Sequence, residues 1–128
     1  MKSIATDHAP AAIGPYSQAM QVGDLLYTSG QIALTPAGEM VDGDIHDQAH
    51  QVLKNLGEVL VAAGTTFDQV IKTTIFLTDM EDFIAVNTVY AEYFGEHKPA
   101  RSTVTVKALP RNAKVEIECI AKILHYSY

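Results

Sequence analysis

The chain has 128 residues, 48% hydrophobic and 19% charged, the proportions of a soluble domain with one substantial core, and residues 1–128 are expected to form a single domain. A formal net charge of −6 sets a repulsive surface against nucleic-acid backbones unless the few cations cluster. A lone cysteine, Cys119, excludes an internal disulfide; no apolar run approaches the ~20 residues of a membrane-spanning helix, and "MKSIATDHAPAAIGPY" lacks the apolar core of a secretory signal, so a cytoplasmic location is expected.

The segment "SQAMQVGDLLYTSGQ", residues 17–31, reads as two short strands around a Gly23-Asp24 turn. The Pro-, Gly- and Asp-rich "LTPAGEMVDGD" that follows is a loop. From Asp44 the period becomes 3.6. Ile45, Ala49, Val52, Leu53, Leu56, Val59, Leu60 and Ala63 form one apolar stripe, with Asp44 as N-cap and Gly64 as stop. "QVIKTTIFLTD" returns to strand chemistry, Ile71, Thr73, Ile75 and Leu77 on one face and Val70, Lys72, Thr74 and Phe76 on the other. Asp79 and Asp82 open a second helix that places Phe83, Val86, Asn87, Tyr90 and Phe94 on one side and closes at Gly95. Residues 100–107 and 114–124 alternate as strands and read as a hairpin closed by "ALPRNA".

The order ββ-α-β-α-ββ predicts an α+β fold: a two-layer domain with a mixed β-sheet and two helices on one face. The strand between the helices is expected to pair in parallel with the strand after the second helix, through a right-handed crossover. The other sheet face then lacks cover from its own chain. Alternation in the terminal pair assigns Ser102, Val104, Val106, Val115, Ile117, Cys119 and Ala121 to the helix side, and Arg101, Thr103, Thr105, Glu116, Glu118 and Ile120 to the open face. Thr, Ile and full charges mixed on one face suit a surface covered by another subunit, so a homo-oligomer is expected.

Arg101 is the sharpest candidate for chemistry, because a guanidinium offers a planar fork matched to a carboxylate; a structural ion pair with Glu116 or Glu118 is the alternative. In a simple hairpin register Glu116 lies about four residues, roughly 13 Å, along the strand from the position facing Arg101. The two are therefore expected to act together only across a subunit boundary. Glu116 could position or activate water. Tyr16 and Ser29 put hydroxyls at strand or turn ends, and Asn87 is an amide on an otherwise apolar stripe, where satisfying nearby backbone competes with touching a ligand.

"HDQAH" puts His46 and His50 at i and i+4, but Asp47 replaces the longer Glu of the zinc motif and no third ligand is indicated, so no metal site is expected. Cys119 alternates with core positions and reads as an inert buried thiol. No phosphate loop or nucleophile elbow occurs, and no cofactor is implied.

"IGPYSQA", "TSGQI", "VIKTTIFLTDMEDFIAVNTVYAEYF" and "PARSTVTVKALPRNAKVEIECIA" together resemble the YjgF/RidA reactive-intermediate deaminase family over nearly the whole chain in one register. The resemblance implies a chorismate-mutase-like subunit assembled as a homotrimer with a cleft at each interface. It also implies cofactor-free hydrolysis of 2-imino acids such as 2-iminobutanoate and 2-iminopropanoate, or the enamine 2-aminoacrylate, to 2-keto acids and ammonia. Residue by residue, the carboxylate-binding arginine falls on Arg101, the water-positioning glutamate on Glu116, and cleft hydroxyls on Tyr16 and Ser29. Asn87, Gly30 and Thr103 are the further substrate-binding positions expected on the same basis. The chain departs from many relatives at Thr103, where they carry a cysteine, and at Lys98, which precedes Pro99 at the end of a shorter loop. The alternatives are a small-carboxylate-binding regulatory or chaperone-like module without turnover, and an RNA-directed activity, against which the acidic charge argues.

Overall fold

The computed structural model describes residues 1–124. Six strands, β1 (Lys2–Ile4), β2 (Ala19–Val22), β3 (Leu25–Thr28), β4 (Val70–Leu77), β5 (Ala100–Thr105) and β6 (Val115–Lys122), form one mixed sheet in the order β1-β2-β3-β6-β4-β5. Two helices, α1 (Ile45–Ala62) and α2 (Phe83–Phe94), complete the α+β domain. Among the described residues no helix is long and apolar enough to cross a membrane.

The N-terminal hairpin turns at Gly23, whose φ of 59° suits a residue without Cβ. Helix α1 starts as its sequence requires. The Asp44 side chain accepts from the Asp47 N–H while the Asp47 carboxylate accepts from the Asp44 N–H, a reciprocal capping box. Its buried stripe includes two amides among the aliphatics. Asn55 donates to the Ile32 and Leu34 carbonyls, and Gln48 accepts from the Lys114 N–H, so both hold loops against the helix. Helix α2 is preceded by a turn of 3-10 helix at Met80–Asp82; Asp79 caps that turn by accepting from Glu81 N–H, and Asp82 is the N-cap of α2 itself.

Only β4 and β5 run parallel, linked through α2, as the element order predicts. The terminal hairpin does not form. Strand β4 inserts between β5 and β6, pairing in parallel with one and antiparallel with the other. Alternation divides each strand into two faces without saying which neighbours it takes, and the eight-residue β4 has two edges to satisfy.

Side-chain direction follows from the pairing. Val115, Ile117, Cys119 and Ala121 of β6 and Val70, Thr73, Ile75 and Leu77 of β4 are buried on the helix side, packed into one core with Leu53, Leu56, Leu60, Val86, Val89 and Phe94. A bulge between Val70 and Lys72 shifts the phase of β4, so Val70 takes the inward place expected of Ile71, which is exposed. In β5 the expected facing is inverted. Arg101 pairs with Thr73, Thr103 with Ile75 and Thr105 with Leu77, so these three share the helix side, while Ser102 and Val104 share the open face with Thr74 and Phe76. An edge strand reading Arg-Ser-Thr-Val-Thr has no dominant apolar face, and its partner's register decides its orientation. The open face carries half-buried Lys72, Thr74, Phe76, Glu116, Glu118 and Ile120, and no layer of the described residues lies over it.

Candidate active site

Two clefts collect Tyr16, Ser29, Gly30 and Glu116 on one side and Arg101 and Asn87 on the other. The first, about 580 Å³, is lined by Tyr16, Ser29, Gly30 and Glu116, among others. The second, about 470 Å³, is lined by Arg101, Asn87, Tyr90, Phe94, His97 and Lys98 with Pro99 and two small residues. Both volumes suit a small molecule. Thr103 lies half-buried beside Ile75 and lines neither.

In the first cleft, the approach to β2 is pinned by a buried amide that no periodic pattern in the sequence marks. Gln18 accepts from Thr6 N–H at 2.7 Å and donates to Pro10 O at 2.7 Å, which fixes the segment leading to the exposed Tyr16. Ser29 N–H donates to Gln18 O, and the Ser29 hydroxyl donates to Ser17 O at 2.6 Å. Its hydrogen is therefore committed, and the Ser29 oxygen is available to a ligand as an acceptor. Gln31 and Ile117 exchange backbone hydrogen bonds at 2.9 and 3.1 Å, drawing Gly30 against the neighbouring Glu116 side chain. A Cβ at position 30 would stand 2.7 Å from Glu116 Cδ, so the carboxylate occupies the space that a side chain would fill. Burial pushes the Glu116 carboxyl above its usual value, and the negative charge of Glu118 adds to the rise.

In the second cleft, Arg101 is held from three sides. Its Nη1 donates to Asn87 Oδ1 at 2.7 Å, and its guanidinium carbon lies 5.0 Å from the Tyr90 ring centroid and 5.6 Å from that of Phe83. Asn87 is exposed at the margin of α2 rather than within its buried stripe, which runs Val86, Val89, Tyr90, Phe94. Tyr90 is itself fixed. Its hydroxyl meets the buried Thr73 hydroxyl at 2.8 Å and its ring stacks on Phe94 at 4.3 Å. Among the described residues no carboxylate lies in ion-pair range of Arg101, which removes the structural pair with Glu116 or Glu118.

Arg101 and Glu116 do not meet within the chain. They project from opposite faces of the sheet, two strands and three residues apart, roughly 14 Å between backbones. His46 and His50 are exposed on α1, His50 near Tyr93 and Glu92, and among the described residues no three His, Cys, Asp or Glu converge as a metal site. Cys119 is buried, and its thiol is pushed up to about 12 by desolvation, which makes it a poor nucleophile.

These features define a small α+β domain with two clefts, one holding Arg101 and Lys98 without a carboxylate and the other holding Glu116 together with Arg111. The family described as Endoribonuclease L-PSP matches residues 6–123. Reactive Intermediate Deaminase A, chloroplastic, of Arabidopsis thaliana is 52% identical over 121 residues, 94% of this chain, which spans 65% of that protein's length. The 2-iminobutanoate/2-iminopropanoate deaminase of Mus musculus is 54% identical over 121 residues, 94% of this chain and 90% of that one. The crystal structure of E. coli TdcF with bound serine superposes with a TM-score of 0.91 at 44% identity, covering 95% of this chain and 98% of the other. The chain belongs to the RidA/YjgF family.

Proposed function

We propose that the chain hydrolyses 2-imino acids, 2-iminobutanoate and 2-iminopropanoate or the tautomer 2-aminoacrylate, to 2-keto acids and ammonia. The observation that carries the reading is the separation of Arg101 and Glu116 into different clefts of one chain. Each cleft holds half of the equipment. A homotrimer of chorismate-mutase-like subunits would bring the Arg101 cleft of one copy against the Glu116 cleft of the next, and would cover the open sheet face. The mouse relative named for this reaction and the serine bound to TdcF support a small amino-acid-like carboxylate as the ligand.

In this reading the Arg101 fork, preset by Asn87 and the Tyr90 ring, holds the substrate carboxylate. Glu116 of the adjacent copy positions water against the imine carbon, with Gly30, Tyr16 and Ser29 at its side. Water adds across the C=N bond to give a carbinolamine, a proton passes to nitrogen, and the C–N bond breaks to release ammonia and the keto acid. Hydrolysis of this kind needs water and proton transfers only, so a cofactor has no step to perform. The endoribonuclease description of the family suggests RNA as a second substrate class, which a chain of net charge −6 attracts poorly.

Complementation tests both the chemistry and the assembly. Arg101→Ala and Glu116→Gln are each expected to be inactive on 2-iminobutanoate generated by a threonine dehydratase. Co-refolded in equal amounts as trimers, they should regain about one quarter of wild-type sites, because one interface in four pairs an intact Arg101 with an intact Glu116. A monomeric mass in solution, or no recovery in co-refolded trimers that contain both variants, would sink the shared site.

A further inference from the structure

The Arg101 cleft holds more positive charge than one carboxylate requires. Within one chain its lining includes the two cations Arg101 and Lys98 beside His97 and no acidic residue, in a chain with 15 Asp and Glu against 9 Lys and Arg, and in the assembly proposed above the adjacent copy's Glu116 is the carboxylate brought against it. The Lys98 ammonium has no hydrogen-bond or ion-pair partner among the described residues, whereas the nearby Lys72 donates to Ser102 Oγ at 2.7 Å. His97 Nε2 is 2.7 Å from Val70 O and must carry the hydrogen there, so in the neutral ring Nδ1 is an acceptor and the carboxylate donors of this cleft are Arg101 and Lys98. Arg101 gives one Nη hydrogen to Asn87 and keeps the rest of its fork. Lys98 and Arg101 are three residues of near-extended chain apart, on the order of 10 Å between Cα atoms, and both line one cleft walled by Tyr90 and Phe94. Two cations held apart over an apolar wall are complementary to a short diacid.

We infer that this cleft selects imino acids with a second carboxylate, those formed from acidic amino acids, with Arg101 on the α-carboxylate and Lys98 on the distal one. The inference rests on the function proposed above and narrows its substrate class. The reaction balances as before: 2-iminoglutarate and water give 2-oxoglutarate and ammonia, the C=N bond being replaced by C=O. A monocarboxylate leaves Lys98 without a match, so the diacid gains an interaction that 2-iminobutanoate lacks.

The test compares kcat/KM for 2-iminoglutarate and 2-iminobutanoate, each generated in place by an amino-acid oxidase, across wild type, Lys98→Met, Lys98→Glu and Lys98→Arg. Wild type should favour the diacid, and the ratio should fall about fivefold in Lys98→Met, further in Lys98→Glu, and hold in Lys98→Arg, as expected for a partly screened ion pair. Added salt should erode the wild-type preference. A ratio unmoved by Lys98→Glu overturns the inference while leaving imine hydrolysis intact. If wild type turns over neither imine, the proposed function fails, and calorimetric binding of 2-oxoglutarate against 2-oxobutanoate still decides: tighter binding of the diacid that is lost in Lys98→Glu supports the selectivity, and equal affinities overturn it.

Discussion

Arg101 Nη1 and Asn87 Oδ1 are joined by a 2.7 Å hydrogen bond between the edge strand β5 and the margin of α2. Asn87 therefore orients the guanidinium without adding a charge that competes for it. Asn87→Ala should raise KM about fivefold with a smaller change in kcat, the scale of one lost hydrogen bond to a charged group. Asn87→Asp should do worse, because a carboxylate would occupy the fork proposed for the substrate carboxylate. Steady-state kinetics of the two variants separate these outcomes, and equal KM values for wild type and Asn87→Ala would remove Asn87 from the positioning of Arg101.

Gly30 is a glycine for want of space rather than for its backbone, since its φ is not among the positive ones. In Gly30→Ala the flexible Glu116 carboxylate must yield. A tenfold to hundredfold fall in kcat is expected from displacement on the order of an ångström. The thermal midpoint should barely move, and a large loss of stability with normal kcat would contradict this account.

Glu116 carries a raised carboxyl pKa, caused first by burial and then by Glu118. Ionisation of a group whose folded pKa exceeds its unfolded value of 4.5 costs stability at pH above the folded pKa, and that cost disappears as pH falls towards the unfolded one. Glu116→Gln should thus be more stable than wild type at neutral pH, with the advantage shrinking in acid. Urea unfolding across pH measures it. If ionised Glu116 positions water, the acidic limb of kcat/KM should sit above the ordinary glutamate range and move down in Glu118→Gln, which removes the second cause.

The Thr73 and Tyr90 hydroxyls form a buried pair beneath Arg101. Thr73→Val leaves the tyrosine hydroxyl without that partner and should cost about 1–3 kcal/mol in urea unfolding. The double variant Thr73→Val/Tyr90→Phe should cost less than the sum of the single ones, because neither hydroxyl remains to be satisfied. Strict additivity would show that the two do not act as a pair.

Periodicity located both helices, because α1 and α2 pack long apolar stripes against one face, and it located the N-terminal hairpin, because Gly23-Asp24 is a turn signal. Asn55 falls on the α1 stripe between Val52 and Val59, so its burial was legible in principle. The position of β4 between β5 and β6 was not, since alternation carries no information about neighbours. The same gap hid the orientation of Arg101, whose facing is dictated by Thr73 in the adjacent strand. Gln18 is a still plainer case: its amide is saturated by Thr6 and Pro10, a loop geometry with no periodic signature.

Strand β6 joins β3 to β4 in the middle of the sheet, yet it is the last strand in chain order. During synthesis the β1-β2-β3 unit and the β4-β5 pair are both complete before the strand that unites them leaves the ribosome. Until then each presents an unpaired edge, and the core beneath α1 lacks Val115, Ile117 and Cys119. Folding of this chain is thus a late, closing event that depends on contacts distant in sequence, and a nascent chain halted before residue 115 would present two open edges to the cell's chaperones.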